Sequence, residues 1–191
     1  MASKAAQQKS DLIERVKALA KARLPVERAT ALSEFAAQFY ANVAIDDLAS
    51  ESPDNLYAAA LSLWTFAGQR AAGAAKVRVY NPRLDEHGWH SSHTVVEMVN
   101  DDMPFLVDSL TSALNQRDLT VYLVIHPIVR VVRDRSGNRA VSGKGEEVAA
   151  DEPAARVTGQ FRTQRNQSAP VPLDNGVQRL DNDQRTQRRV L

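Results

Sequence analysis

A chain of 191 residues has room for one or two domains. Its 43% hydrophobic content suffices for a core, but an aromatic share of 6% keeps that core modest. A formal net charge of +1 gives no reason to expect nucleic acid or an acidic membrane surface as partner, and the absence of cysteine excludes a disulfide framework, a thiolate metal site and a Cys nucleophile.

Three helices are expected first. Over residues 10–23, Leu12, Val16, Leu19 and Arg23 share one face, with Ile13 and Ala20 beside them. Over residues 26–43, Leu32, Phe35, Ala36, Phe39, Tyr40 and Val43 recur at three- and four-residue steps. Ser52, Pro53 and Asp54 then read as an N-cap, a proline at the first helical position and an acid in the first turn. The helix they open turns Leu56, Ala60, Leu63, Trp64 and Ala67 inward and fades near Gly68–Gly73.

The period then changes. Lys76–Tyr80 alternates like a strand, Asn81–Ser92 reads as a polar turn region, and His93–Asn100 is β-rich. Asp102 is expected to cap a helix, with Pro104 just inside it and Phe105, Leu106, Leu110, Ala113 and Leu114 on its buried face. Thr120–Ile125 and Ile128–Arg133 are expected strands, separated by His126 and Pro127; a proline lacks the N–H a central ladder needs, so it belongs at a start, an edge or a bend. Asp134–Asn138 is a turn signal. Beyond about residue 141 only Phe161 is aromatic, both periods vanish, and Gln, Asn, Arg, Pro and Asp accumulate. Such a segment buries too little to offset its chain entropy and is expected to be disordered.

The expected fold is therefore α+β: a helical leader (1–73), an incomplete ACT-like or ferredoxin-like β-α-β-β unit (74–140) and a disordered tail (141–191). The N-terminus lacks the apolar core of a secretory signal, and the longest apolar run, Val121–Ile125, is far too short to span a bilayer. A cytoplasmic location is expected.

Several groupings have the residue types of chemistry without its layout. His87, His90 and His93, with Asp85 and Glu86 nearby, are ligand types for zinc, but a spacing of three in a loop with Pro82 and Gly88 reads better as solvated histidines. Gly137–Gly145 has five residues between glycines where a phosphate loop needs four, and Gly145 stands where a hydroxyl should bind magnesium. Asp108, Ser109 and His126 are relay types, yet adjacent helix residues point about 100° apart. No catalytic, cofactor or metal residue is therefore assigned. The turn Asn100, Asp101, Asp102, Met103 and Pro104 joins a strand to a helix N-terminus. Its first four residues are the candidate ligand-binding residues: backbone N–H groups there can meet a carboxylate and the aspartates an ammonium, which would suit a free amino acid.

The stretch VEMVNDDMPFLVDSLTSALNQRDLTVYLVIHPIVRVVRDRSGN resembles the N-terminal region of the large bacterial NAD-specific glutamate dehydrogenases, through Asp102, Pro104, Phe105, Leu106, Asp108, Ser109, Leu119, His126, Pro127, Arg133, Asp134 and Gly137. The upstream helices, including Phe39, Tyr40, Leu56, Leu63 and Trp64, resemble that family's leader, so the resemblance covers roughly residues 10–140. It implies ACT-like regulatory and assembly domains, with the catalytic and NAD-binding parts far downstream. It implies that the parent oxidatively deaminates L-glutamate with NAD to 2-oxoglutarate and ammonium, whereas this chain holds no cofactor and is not itself catalytic. The expected partners are an amino-acid effector and either the rest of the dehydrogenase or a second copy. Past Arg139 the tail departs from the family pattern, as a truncated or frameshifted reading frame would. A free-standing ACT-like amino-acid sensor and an unrelated interaction domain are the alternatives.

Overall fold

The computed structural model describes residues 4–129, 131, 133, 134, 136–139 and 160–165, the last six by their backbone alone. Four helices lead: α1 (Lys4–Arg23), α2 (Val26–Phe39), α3 (Ile45–Ala49) and α4 (Pro53–Phe66). They follow the expected apolar stripes. Val16 and Ala20 of α1, Leu32, Phe35, Ala36 and Phe39 of α2, and Leu56, Ala60 and Leu63 of α4 meet in one core. Ser52 caps α4 as its sequence predicts, its hydroxyl accepting a hydrogen bond from the Asn55 N–H at 3.1 Å. The second helix stops earlier than the pattern suggests, because Tyr40 turns out of α2 and its hydroxyl donates to the Leu56 carbonyl at 2.8 Å. That bond gives a buried phenol its partner and fastens α2 to α4.

Strand β1 (Lys76–Tyr80) follows, then the one-turn helix α5 (Leu84–His87), β2 (Thr94–Val99), α6 (Leu106–Asn115), β3 (Leu119–Ile125) and β4 (Gln160–Arg165). The four strands form an antiparallel sheet in the order β1-β2-β4-β3. Since β2 and β3 both run antiparallel to β4, they are parallel to each other, and α6 is the crossover between them. This is the split β-α-β arrangement of ferredoxin-like folds. Val99 and Ile125 bring one face of the sheet into the helical core, while Val95 packs with Trp89 and Ala59 in a second cluster beneath α4.

The α+β class and its ferredoxin-like sheet are as expected; the strand inventory differs. Ile128–Arg133 was expected to supply the last strand, but residues 126–129 carry no regular structure, and Arg133 makes only an isolated bridge with Arg139. The fourth strand comes instead from Gln160–Arg165, inside the segment expected to be disordered. It sits between β2 and β3, with Phe161 opposite both Val96 and Val124. The rest of residues 141–191 lies outside the described residues.

The Arg133–Arg139 turn has a different task. It docks on the C-terminal end of α4, whose last carbonyls have no partner within the helix. Arg133 donates to the Ala67 carbonyl at 2.8 Å, and Arg139 donates to that of Trp64 at 2.8 Å. The Arg139 guanidinium lies 3.7 Å from the Trp64 ring centroid. Burial, reinforced by nearby Arg133 and Arg28, lowers the Arg139 pKa to about 10. Asp134 holds the turn by accepting from the N–H groups of Ser136 and Asn138, each at 2.9 Å. Gly137 adopts φ 77°, and its carbonyl accepts from the Arg70 N–H at 3.0 Å.

Candidate functional site

The strand–helix turn after β2 is built differently from its sequence expectation. Asp102 was expected to cap α6, but the cap position belongs to Phe105, and α6 begins at Leu106. Pro104 accordingly lies before the helix. Phe105 adopts φ 62° and ψ 10°, the left-handed conformation, which costs a residue with a β-carbon about 1–2 kcal/mol. Its side chain was expected to be buried and is instead 76% exposed. The remaining expected contacts of α6, Leu106, Leu110, Ala113 and Leu114, are only half-buried. The helix packs against β3, and it does so at the margin of the core.

The turn, the first turn of α6 and the segment after β3 enclose a cleft of about 130 Å³. Asp102, Met103, Phe105 and Asp108 line one side, and His126, Pro127 and Ile128 line the other. Pro127 is buried where β3 ends, while His126 is exposed. The expected candidate residues therefore separate. Asp102 and Met103 reach the cleft. Asp101 does not line it and is ion-paired with Arg70, whose side chain is 3% exposed. Asn100 also lies outside the lining and donates through its amide to the Met103 sulfur at 3.7 Å. No pattern in the sequence marks Arg70 as the partner of Asp101. A salt bridge between residues 31 apart depends on α4 ending against the sheet.

The other groupings resolve into structural contacts. Asp108 and His126 share the cleft lining, but Ser109 does not; its N–H donates to the Phe105 carbonyl at 2.8 Å, the first hydrogen bond of α6. The three histidines diverge. The His87 ring packs 4.8 Å from Tyr80, the His93 ring packs 4.8 Å from Tyr122, and the His90 backbone is held by Asn55 through bonds of 2.9 and 3.1 Å. Among the described residues no group of three or more His, Asp or Glu side chains is placed to hold a metal ion. Of the Gly137–Gly145 stretch, only Gly137–Arg139 is described, and it forms the α4 turn.

One further polar group is buried at the sheet. Glu97 is fully buried on β2 and accepts from Arg78 at 2.5 Å and from the Tyr80 hydroxyl at 2.9 Å. Arg78 also donates to the Ser62 hydroxyl of α4 at 2.7 Å and lies over the Phe66 ring. Burial first, and then the Glu97 carboxylate, push the Tyr80 hydroxyl pKa well above its ordinary value. Arg78, Tyr80, Glu97 and Ser62 of α4 bond to one another, so the group joins helix to sheet.

The motif residues thus close turns, cap helices and shape one small cleft, and relatives with the same pattern can be compared on that basis. No solved structure matches the chain at a significant level. The NAD-specific glutamate dehydrogenase of Halomonas elongata is 41% identical over 146 residues, 76% of this chain and 9% of that protein. The NAD-specific glutamate dehydrogenase of Pseudomonas aeruginosa is 34% identical over 114 residues, 59% of this chain and 7% of that protein. The match therefore spans less than a tenth of either relative's length. The pattern of the family described as "Glutamate dehydrogenase, ACT1 domain" matches residues 35–164. That range runs past Arg139, where the resemblance was expected to end, and takes in almost all of β4. With the sheet, its inserted fourth strand and helices α3 and α4 inside one family pattern that matches more than half of its residues, the chain belongs to the glutamate dehydrogenase ACT1 domain family.

Proposed function

We propose that this chain is a regulatory and assembly segment of an NAD-specific glutamate dehydrogenase of the cytoplasm. In that reading the parent converts L-glutamate and NAD to 2-oxoglutarate and ammonium, and other sequence carries the reaction. One observation supports it most. Most of the residues that carry the sequence resemblance, from Asp102 to Gly137, lie in turns, at helix ends and around a small cleft.

The donor set of the β2–α6 turn also argues for placing NAD elsewhere. A pyrophosphate needs closely approached backbone N–H groups, which glycines supply. Asn100–Phe105 contains no glycine and sets the carboxylates of Asp101 and Asp102 beside the place where phosphate charge would sit.

Between the regulatory and assembly roles, the cleft favours assembly. A free amino acid needs a cation or several donors for its carboxylate, yet among the described residues the charged side chains lining the cleft are Asp102 and Asp108. Arg70, buried beside this turn, is paired with Asp101. Calorimetric titration of the purified chain with the proteinogenic amino acids tests this: the assembly reading expects no saturable heat. Saturable heat from one amino acid, lost in Asp102→Ala, would move the chain to the alternative reading of an amino-acid sensor.

A further inference from the structure

The exposed large apolar side chains are not spread evenly. Met103, Phe105 and Ile128 are 50%, 76% and 59% exposed, and all three line the cleft of about 130 Å³ at the start of α6. Each belongs to a different part of its wall: the turn after β2, the cap of α6 and the segment after β3. Apolar side chains grouped around a concavity, where they remain in water, mark an interaction site more often than isolated ones do. Phe105 is the most telling member. An aromatic residue is held in a left-handed conformation and presented to solvent, so its backbone strain has no compensating burial within the described residues.

The size and charge of the cleft define its occupant. A volume of about 130 Å³ admits one or two side chains and is well below the several hundred Å³ of a cofactor-sized pocket. Asp108, exposed on the first turn of α6, gives the lining an acidic group, with the imidazole of His126 opposite. The complementary group is an apolar side chain flanked by Lys or Arg on a short linear segment. More than nine-tenths of the matched Halomonas elongata protein lies outside the region this chain resembles, and that sequence is the source to which the occupant belongs.

We infer that the Met103–Phe105–Ile128 cleft docks a short basic-flanked apolar segment from elsewhere in the glutamate dehydrogenase polypeptide. The inference rests on the assembly reading above and adds to it a surface, a hot-spot residue and a partner chemistry. Phe105 inserts against the apolar residue of the segment, while Asp108 faces its cations.

The test uses the purified chain and overlapping synthetic peptides that tile the Halomonas elongata dehydrogenase outside its matched region. Fluorescence anisotropy should detect saturable binding of at least one peptide with an apolar residue beside Lys or Arg. Phe105→Gly should weaken that binding about tenfold or more, as truncation of a central aromatic anchor does. Glycine accepts the left-handed conformation and no buried contact is lost, so this variant should melt no lower than the parent. Asp108→Lys, an exposed change, should also weaken binding, and raised salt should mimic it. Absence of any saturable peptide, or binding that Phe105→Gly leaves unchanged, overturns the inference. Self-association of the chain that disappears in Phe105→Gly would overturn it in favour of a second copy. Saturable amino-acid heat lost in both Phe105→Gly and Asp102→Ala would overturn the assembly reading as well, which separates the two failures.

Discussion

Replacing Gly137 by alanine isolates the docking of the Arg133–Arg139 turn on α4, provided Gly88→Ala is measured beside it. Both glycines have nearly the same left-handed backbone, φ 77° and φ 74°. The two substitutions therefore share the left-handed cost of about 1–2 kcal/mol and the same restriction of the unfolded chain. They differ in surroundings. A β-carbon on Gly88 meets nothing within 4 Å, whereas one on Gly137 would lie 2.2 Å from the Arg70 carbonyl oxygen. That contact is with backbone, so the turn itself must withdraw. Withdrawal breaks or lengthens the hydrogen bonds from the Arg70 N–H to Gly137, from the Arg139 N–H to Gly68 and from the Arg133 guanidinium to the Ala67 carbonyl, now 3.0, 2.7 and 2.8 Å. At about 1 kcal/mol each, Gly137→Ala should cost roughly 2–3 kcal/mol more than Gly88→Ala. The difference should appear as a shift in the urea midpoint without a change in slope. In a thermal melt it amounts to roughly 4–12 °C at about 2–4 °C per kcal/mol. Equal losses for the two variants, within about 0.5 kcal/mol, would refute the claim that the turn is clamped to α4.

Two further predictions concern the buried polar group on the sheet. Arg78→Ala removes the ion pair between Arg78 and the fully buried Glu97 carboxylate and should cost about 3–5 kcal/mol in denaturant unfolding. The double change Arg78→Ala, Glu97→Gln should recover a measurable part of that loss, and no recovery would count against the pairing. Stability should also fall as pH rises above about 10, because the unfolded chain then loses the Tyr80 proton while the folded chain keeps it. Absorbance titration should show a phenol ionising well above the usual tyrosine range, and Tyr80→Phe should remove that step and its share of the alkaline decline; an unchanged decline would reject the assignment.

Sequence and structure agree where one local signal decides the outcome. The Ser52-Pro53-Asp54 cap, the stripe through Leu56, Ala60 and Leu63, and the alternation of Lys76–Tyr80 each fix an element through nearest neighbours alone. The disagreements arise where long-range partners decide. Gln160–Arg165 has one large apolar residue and reads as polar coil, yet it lies between two strands and pairs along both of its edges. Its sole hint was the alternation of Phe161 and Thr163, both good strand formers. Conversely, Ile128–Arg133 has the composition of a strand, but β4 takes the inner edge of β3 and the Arg133 guanidinium is drawn to the end of α4. The candidate turn was partly legible. Asp102 and Met103 reach the cleft, but neither the Arg70–Asp101 pair nor the left-handed Phe105 leaves a trace in spacing. Phe105 looked like core because it is aromatic and stands where a helical stripe would begin.

The account rests on β4 completing the family's sheet, since only then are β2, α6 and β3 held so that the cleft forms between them. Backbone NMR of the labelled chain measures this directly. Cross-strand contacts from Phe161 to both Val96 and Val124 are predicted, in the antiparallel register of the four-stranded sheet. Contacts running from Val96 directly to the β3 strand, with Phe161 touching neither, would contradict it.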